Sequence, residues 1–447
     1  MKIITSPPKF DGLSQPQLSM NELAPTPTTV AETGLSESAI ADLICKHLMD
    51  GGVLNLQQLS ERLALIDKLV LEVLHFLRSE ARVEVLAGMD GSGALRYSLS
   101  ERGRRSAVEA MARNGYLGPA PVPLQQYAKV VRAQTIHGRG VTRDQMKLAF
   151  ADVVVKESVL DQLGPSLNSG RAIFIYGPAG TGKTYIAQRL MRLFQDEVLI
   201  PHAIAVNEST IAVFDPVQHS PIVRWGGPEL RYKQRHDQRW VRCERPTLIT
   251  GGELTADMLD VQFEPLLREY RAPLQLKANN GIFIIDDMGR QRMPPEALFN
   301  RWIVPMEEQL DHLNLGAGRH FSVPFDLVLV FSTNMDPNDL ADEAFLRRIG
   351  YKIRFGPLER DQYEAIWQAY CQERGLVCDP DVFDFTVEDL HRKSGTPLLP
   401  CHPRDLLSIA FDHLSYLDKP PVLTNEHMQW AWDNYFVSLD GSTSPSL

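Results

Sequence analysis

The sequence predicts an α/β fold: a parallel sheet around a glycine-rich loop, closed by a C-terminal helical lid and preceded by a small N-terminal domain of helices and a hairpin. Three stretches predict it. Ile173-Phe174-Ile175-Tyr176 reads as a short apolar strand that runs into Gly177-Pro178-Ala179-Gly180-Thr181-Gly182-Lys183-Thr184, and residues 185–194 read as a helix. Gly281-Ile282-Phe283-Ile284-Ile285 is a second apolar strand, ending in Asp286-Asp287. Leu327-Val328-Leu329-Val330-Phe331 is a third, ending in Ser332-Thr333-Asn334. Short apolar runs bounded by Gly and polar residues read as buried strands. Polar groups gathered at their C-terminal ends mark the edge where parallel α/β sheets bind ligands.

Composition bounds the rest. At 447 residues the chain is long for one core, and roughly two or three domains are expected. Its 44% hydrophobic and 23% charged residues are those of a soluble globular protein. No run reaches the roughly 18 to 20 consecutive apolar residues of a membrane-spanning helix. The apolar pair Ile3-Ile4, with Lys2 and Lys9 nearby, is too short for a signal peptide. A cytoplasmic location without membrane insertion is therefore expected. The five cysteines (Cys45, Cys243, Cys371, Cys378, Cys401) show no CxxC spacing. They read as buried free thiols of a reducing compartment rather than as zinc ligands or disulfides. A net charge of −10 argues against a protein that coats nucleic acid non-specifically, because such binding rests on Lys and Arg neutralising phosphates. A local basic patch stays open.

Along the chain, residues 1–35 carry Pro7, Pro8, Pro16, Pro25 and Pro27 among Ser and Thr, and are expected to be a disordered tail. From Ser36 helical spacing begins, with Ile40, Leu43, Ile44, Cys45 and Leu48 on one helix stopped by Gly51-Gly52. A second short helix carries Leu56, Leu59 and Leu63, and a third Leu69, Val70, Val73, Leu74 and Leu77. Two strand-like runs at 83–86 and 95–99 follow, joined by Met89-Asp90-Gly91-Ser92-Gly93, which is hairpin chemistry. With a closing helix through Met111, residues 36–115 resemble a winged-helix domain. Either DNA contact through the third helix or a protein-interaction role is open. Ten Lys/Arg stand against eleven Asp/Glu between Ser36 and Gly115, a balance that does not favour nucleic acid. The only basic cluster, Arg102, Arg104 and Arg105, follows the wing. A Pro-rich joint at 118–123 lies within a linker taken as 116–139. Residues 140–357 are expected to be the α/β core, 358–436 the helical lid, and 437–447 a polar tail.

The chemistry sits in the three opening stretches. Gly177 to Thr184 fits the P-loop pattern in full. Its glycines let successive N–H groups point at a β-phosphate. Lys183 supplies charge for the β/γ oxygens, and the Thr184 hydroxyl is a Mg²⁺ ligand. Of Asp286 and Asp287, one carboxylate should hold Mg²⁺ through water and the next polarise the attacking water. The Asn334 amide can orient that water beside the γ-phosphate.

The order of P-loop, acidic strand and polar-ended strand resembles the AAA+ family, over roughly residues 140–436. The resemblance implies a three-layer αβα core with ATP and Mg²⁺ as ligands, Asp286 serving the metal and Asp287 the water. Asn334 matches the family's "sensor 1". Asp342-Glu343-Ala344-Phe345-Leu346-Arg347-Arg348-Ile349 is similar to the helix carrying the arginine finger. Arg348 stands at the family's position, and Arg347 is its alternative. His402-Pro403-Arg404-Asp405-Leu406 in the lid is similar to "sensor 2", which makes Arg404 the γ-phosphate contact. The nucleotide set is then Gly177, Pro178, Ala179, Gly180, Thr181, Gly182, Lys183, Thr184 and Tyr185, with Arg404. An arginine finger implies a homo-oligomeric ring, a hexamer by resemblance, acting on a protein substrate.

Two details narrow the branch. Residues 273–281, entering the acidic strand, and a β-hairpin at 313–323 are similar to the MoxR-like, chelatase-like and enhancer-binding activator side of AAA+. The activators' GAFTGA loop is absent. As a whole the chain resembles bacterial AAA+ ATPases described as chaperone-like and loosely linked to Flp pilus assembly. One departure stands out: Asp287 replaces the family's Glu. A side chain shorter by one methylene sets the carboxylate about 1.5 Å back, a misplacement that can cost about a hundredfold in rate. Slow hydrolysis or a nucleotide-controlled switch stays open. The insertion-like region between Leu199 and Ala278 carries Trp225-Gly226-Gly227, Trp240 and Gly251-Gly252. Its aromatic–glycine pairs read as a core tryptophan or surface turn, or alternatively as a pore loop. The competing functional classes are a remodelling ATPase, a DNA-linked regulator with ATP as assembly switch, and a non-hydrolysing scaffold.

Overall fold

A computed structural model describes residues 19–86, 95–222, 236–316, 319–340 and 342–436. Five apolar stretches pair in parallel: β1 (Ile173–Tyr176), β2 (Thr247–Thr250), β3 (Ile282–Ile285), β4 (Val328–Thr333) and β5 (Tyr351–Arg354). Their order in the sheet is β2-β3-β4-β1-β5. Register sets Tyr176 opposite both Thr333 and Arg354, and Thr250 opposite Ile285, so the polar strand ends share one edge. The chain leaves β1 there into the loop and α1 (Lys183–Arg189). The helix expected through residue 194 ends as a 3₁₀ turn over Leu190–Leu193.

Alternate side chains of each strand go to opposite faces, and both faces are covered. Ile173, Ile175, Ile282, Ile284, Val328 and Val330 pack with Leu163 and Ile186 on one side. Phe174, Phe283, Leu329 and Phe331 pack on the other with Leu298, Phe299 and Trp302 of α2 (Pro295–Glu308) and Phe345 of α3 (Glu343–Arg348). Burial on both faces is why these strands read as continuous apolar runs. The fold class is the expected one: a three-layer αβα core with a parallel sheet and a P-loop after its β1 strand.

The lid follows β5. It is helical, with α4 (Arg360–Arg374), α5 (Cys401–Tyr416) and α6 (Asn425–Tyr435) packed around Tyr363, Trp367, Leu406, Met428 and Trp432. The expected hairpin ahead of β4 is present as Leu310–Asn314 against His320–Pro324. No helix among the described residues is long and apolar enough to cross a membrane.

The N-terminal region keeps the expected order: helices Glu37–Gly51, Leu56–Leu63 and Asp67–Ser79, strands Val83–Leu86 and Arg96–Leu99, then helix Glu101–Arg113. A third strand, Leu54–Asn55, completes an antiparallel sheet. The hairpin turn at Met89 to Gly93, Trp225-Gly226-Gly227 and the 437–447 tail lie outside the described residues.

Two expectations are corrected. Residues 19–35 are not a disordered tail. Helices Met20–Leu23 and Val30–Thr33 form there, Ala24 and Thr33 are fully buried, and Arg239 donates to Thr33 O at 2.9 Å. Arg239 is itself fully buried in an ion pair with Asp237 (2.7 Å), so this segment covers a charge that would otherwise meet water. Nor is 116–139 a free linker. Val122–Pro123 joins a second five-stranded sheet, and helix Leu124–Ala133 packs into its core. The sheet's other strands, Ala203–Val206, Ser209–Ala212, Gln262–Glu264 and Glu269–Arg271, come from the insertion-like region. The Gln262–Arg271 hairpin reaches the N-terminal domain, where Gly115 N donates to Arg268 O at 2.9 Å and Arg268 to Ala112 O at 2.8 Å.

Candidate functional site

The loop after β1 is shaped by glycine. Gly177 (φ 143°) and Gly180 (φ 79°) lie in the left-handed half of backbone space, and neither has room for a side chain. A Cβ on Gly177 would stand 2.0 Å from Phe355 O, and one on Gly180 2.4 Å from the Cys401 sulfur. Strand β5 and the lid helix α5 therefore press directly on the loop. Cys401 N also donates to Gly180 O at 3.3 Å, joining lid and loop by backbone.

Lys183, the first residue of α1, turns back over the loop. Its ammonium is buried and donates to Gly177 O (2.9 Å), Pro178 O (2.8 Å) and Asn334 Oδ1 (2.7 Å). Burial lowers its pKa, while Asp286 and Asp287 pull it back up. The next hydroxyl, Thr184 Oγ1, donates to Asp286 Oδ2 at 2.7 Å. Asn334 completes a relay: its Nδ2 donates to Asp287 Oδ1 at 2.9 Å while its Oδ1 accepts from Lys183. Residues expected in three separate stretches are thus one connected cluster.

Asp287 itself has φ 49°, in the left-handed region. Asp and Asn are tolerated there several-fold better than most side chains. Gln291 braces the turn, donating to Asp286 O (2.9 Å) and Asp287 O (3.2 Å) and accepting from Gly289 N (2.8 Å).

Around this cluster opens a cavity of about 1380 Å³. Lys183, Thr184, Asp286, Asp287 and Asn334 line its floor, and Arg404 lines it from α5. Tyr185 also lines it, with the Arg189 guanidinium 3.2 Å from its ring centroid. Sequence reasoning missed Lys156, Arg290, Arg354 and Arg374, which add positive charge to the same wall. Only Arg290, three residues past Asp287, had a local signal. Arg347 and Arg348 are not among the described residues lining the cavity. Arg347 pairs with Glu343 (2.6 Å) and Arg348 with Glu307 (2.6 Å), and both arginines are exposed.

A hydroxyl and a carboxylate oxygen in contact suit a hard cation. Mg²⁺ commonly takes one or two protein oxygens and fills its octahedron with water and phosphate. Thr184 and Asp286 fit that role. No cluster of three or more His, Cys, Asp or Glu able to hold a metal by itself occurs among the described residues.

Comparison with known proteins adds limited detail. Residues 359–434, the lid, match a family described as "Domain of unknown function (DUF8689)". No curated protein matches the chain. Among solved structures, the RuvB Holliday junction branch migration motor of Thermotoga maritima is similar at 12% identity, over 64% of this chain and 70% of that one, with a TM-score of 0.38. NtrX from Brucella abortus is similar at 13% identity, over 76% and 68%, with a TM-score of 0.41. A complex of the magnesium chelatase subunits BchI and BchD is similar at 15% identity, over 65% and 91%, with a TM-score of 0.32. Likenesses this low carry no argument about this chain, whose fold class rests on its own sheet order and loop.

Proposed function

We propose that this chain is an ATP-binding and ATP-hydrolysing AAA+ ATPase that assembles as a head-to-tail ring, by resemblance a hexamer, in the cytoplasm. It couples turnover to remodelling of a protein or complex. The observation that carries the reading is the relay Lys183–Asn334–Asp287 beside the Thr184–Asp286 contact, at the polar edge of a parallel sheet.

ATP places its β- and γ-phosphates over the loop, where Lys183 exchanges Asn334 and the loop carbonyls for phosphate oxygens. Asn334, released from Lys183, is left beside Asp287 to orient a water. Asp287 accepts that water's proton as its oxygen attacks the γ-phosphorus and the bond to the β–γ bridging oxygen breaks. Thr184 and Asp286 would hold Mg²⁺, which supplies neutralising charge for the phosphates. Arg404 reaches the γ-phosphate from α5, so lid position follows nucleotide state.

Arg348 lies away from its own subunit's cavity, which supports a role on a neighbour's nucleotide. The exposed side of helix Asp67–Ser79 carries Asp67, Lys68, Glu72, His75 and Arg78. That balance of charge supports a protein partner for the N-terminal domain rather than DNA.

The test is phosphate release measured with malachite green. Release by the parent, none by Lys183→Ala, none by Arg348→Ala, and recovered release when the two variants are mixed are the expected results. One variant then offers an intact pocket and the other an intact arginine. Undiminished turnover in Lys183→Ala would sink the nucleotide assignment, and failure of the mixture to recover would sink the ring. Stimulation by duplex DNA would move the reading to a DNA-linked regulator.

A further inference from the structure

The second sheet protects one of its two edges and leaves the other open. Its strands lie in the order Gln262–Glu264, Glu269–Arg271, Ser209–Ala212, Ala203–Val206, Val122–Pro123. The Val122–Pro123 edge is closed in two ways. Pro123 has no N–H to offer, and a Cβ on Gly34 of the N-terminal segment would stand 2.5 Å from the Pro123 ring. The Gln262–Glu264 edge has neither device. Such an edge presents unpaired N–H and C=O groups, a template for pairing with another chain.

Gln262, Phe263 and Glu264 pair with Arg271, Tyr270 and Glu269, and side chains alternate between the faces of a strand. Phe263 and Tyr270 therefore share a face, with ring centroids 5.0 Å apart. Tyr270 packs against the core of this sheet, whereas Phe263, one strand further out, is 49% exposed. The apolar face thus runs out past its cover. On the other face Glu264 stands directly opposite Glu269, and like charges so placed repel. Exposed Asp257 adds an acid at the far end of the strand, where its carbonyl accepts from the Gln262 side-chain amide at 3.3 Å.

The turn that joins the two strands is anchored by its backbone and by one arginine. Arg268 takes φ 54°, its carbonyl accepts from Gly115 N at 2.9 Å, and its guanidinium donates to Ala112 O at 2.8 Å. The Leu267 carbonyl lies so close that a Cβ on Gly115 would meet it at 1.6 Å. Leu266, carried by this fixed turn, is 92% exposed. A rigid backbone that holds apolar side chains outward is the preorganised half of a contact.

We propose that the Gln262–Glu264 edge takes an extended segment of another protein as an added strand, apolar on the side of Phe263 and basic on the side of Glu264. Only an extended chain matches the open N–H and C=O groups of a strand. In pairing of this kind the main chain gives affinity and alternate side chains give specificity. A strand added about 4.8 Å away covers Phe263 with apolar side chains and brings Lys or Arg to the Glu264–Glu269 pair. Leu266 extends the apolar contact beyond the short ladder. The inference names the kind of partner that the proposed remodelling acts on, and rests on that reading for its purpose; the pairing itself needs no nucleotide.

The test is fluorescence polarisation of the full-length protein with a short labelled peptide that alternates valine and lysine. It is run without nucleotide on the parent and on Lys183→Ala, so that failure of the edge and failure of the nucleotide site are read separately. Saturable binding is expected in both. Phe263→Ser and Leu266→Ser should each weaken it at least about fivefold. Leu266 lies almost wholly in solvent, so misfolding cannot account for the second loss. A valine–glutamate peptide should bind at least about tenfold more weakly, and a valine–lysine peptide methylated at every backbone nitrogen should not bind. Absence of saturable binding, equal binding of the methylated or the glutamate peptide, or unchanged affinity in both serine variants overturns the proposal. So does a fall in light-scattering mass in Leu266→Ser without peptide binding to the parent, which would assign the edge to a second copy of this chain.

Discussion

Replacing Asp287 by Asn separates the chemistry of this side chain from its place in the fold. The carboxylate accepts one hydrogen bond, from Asn334 Nδ2 at 2.9 Å, and an amide oxygen can accept the same bond. The backbone at φ 49° is equally open to Asn, one of the residues that tolerate the left-handed region. Stability should therefore change by no more than about 0.5 kcal/mol, the usual range for a substitution that leaves contacts in place. What disappears is the proton acceptor, a contribution of roughly 10² to 10⁴ in rate, or about 2.7 to 5.4 kcal/mol of barrier. Affinity for ATP should hold, because Lys183 and the loop are untouched. Single-turnover hydrolysis on pre-bound ATP, with a fluorescent analogue for binding and urea denaturation for stability, measures all three. A fall in rate of less than about tenfold, with binding and stability intact, would refute the assignment of Asp287 as the group that polarises water.

Gly180→Ala should weaken both loop and lid, since it adds about 1 to 2 kcal/mol of left-handed strain and drives a methyl against the Cys401 sulfur; Cys401→Ala should relieve the second part only, read as a partial recovery of ATP affinity in the double variant. Arg404→Ala should lower affinity for ATP while leaving ADP affinity unchanged, measured by calorimetry with each nucleotide; an equal loss for both would remove Arg404 from the γ-phosphate. Thr184→Ala should retain nucleotide binding in EDTA but lose the gain that Mg²⁺ confers, seen as a magnesium titration of analogue affinity that stays flat. Arg239→Ala leaves Asp237 buried without its partner and should cost about 3 to 5 kcal/mol, with limited proteolysis cutting residues 19–35 first; an unchanged digestion pattern would show that the segment is held by other contacts.

How much of this was legible beforehand depends on how locally each feature is encoded. Strands β1, β3 and β4 were readable because burial on both faces leaves them uniformly apolar, and the loop because backbone geometry itself demands its glycines. Residues 19–35 were misread because their Pro, Ser and Thr content is that of a tail. What orders them is a set of contacts some 200 residues away in the chain, among them Arg239 to Thr33 O, Asp237 N to Ala24 O, and the core around Ala24. The helix at Leu124–Ala133 was hidden in the same way, since the Pro-rich joint before it suggested a tether while its docking surface comes from strands in the insertion-like region. No local pattern encodes such partners.

The acidic pair shows the subtler case. From sequence, Asp287 in place of Glu is a shortened side chain and a handicap. In the structure it is also a backbone choice. The turn after β3 places residue 287 in left-handed space, and Gln291, Gly289 and Met288 fix it there through hydrogen bonds at 2.8 to 3.2 Å. A glutamate at φ 49° would lose the several-fold preference that Asp enjoys in this region, about 1 kcal/mol. Its carboxylate would also overshoot the Asn334 amide that now holds it 2.9 Å away. The shorter acid, the tight turn and the amide that bridges it to Lys183 therefore belong to one arrangement. A test that lengthens the side chain alone perturbs all three together, which is why the isosteric Asn, and not Glu, is the substitution that isolates the chemistry.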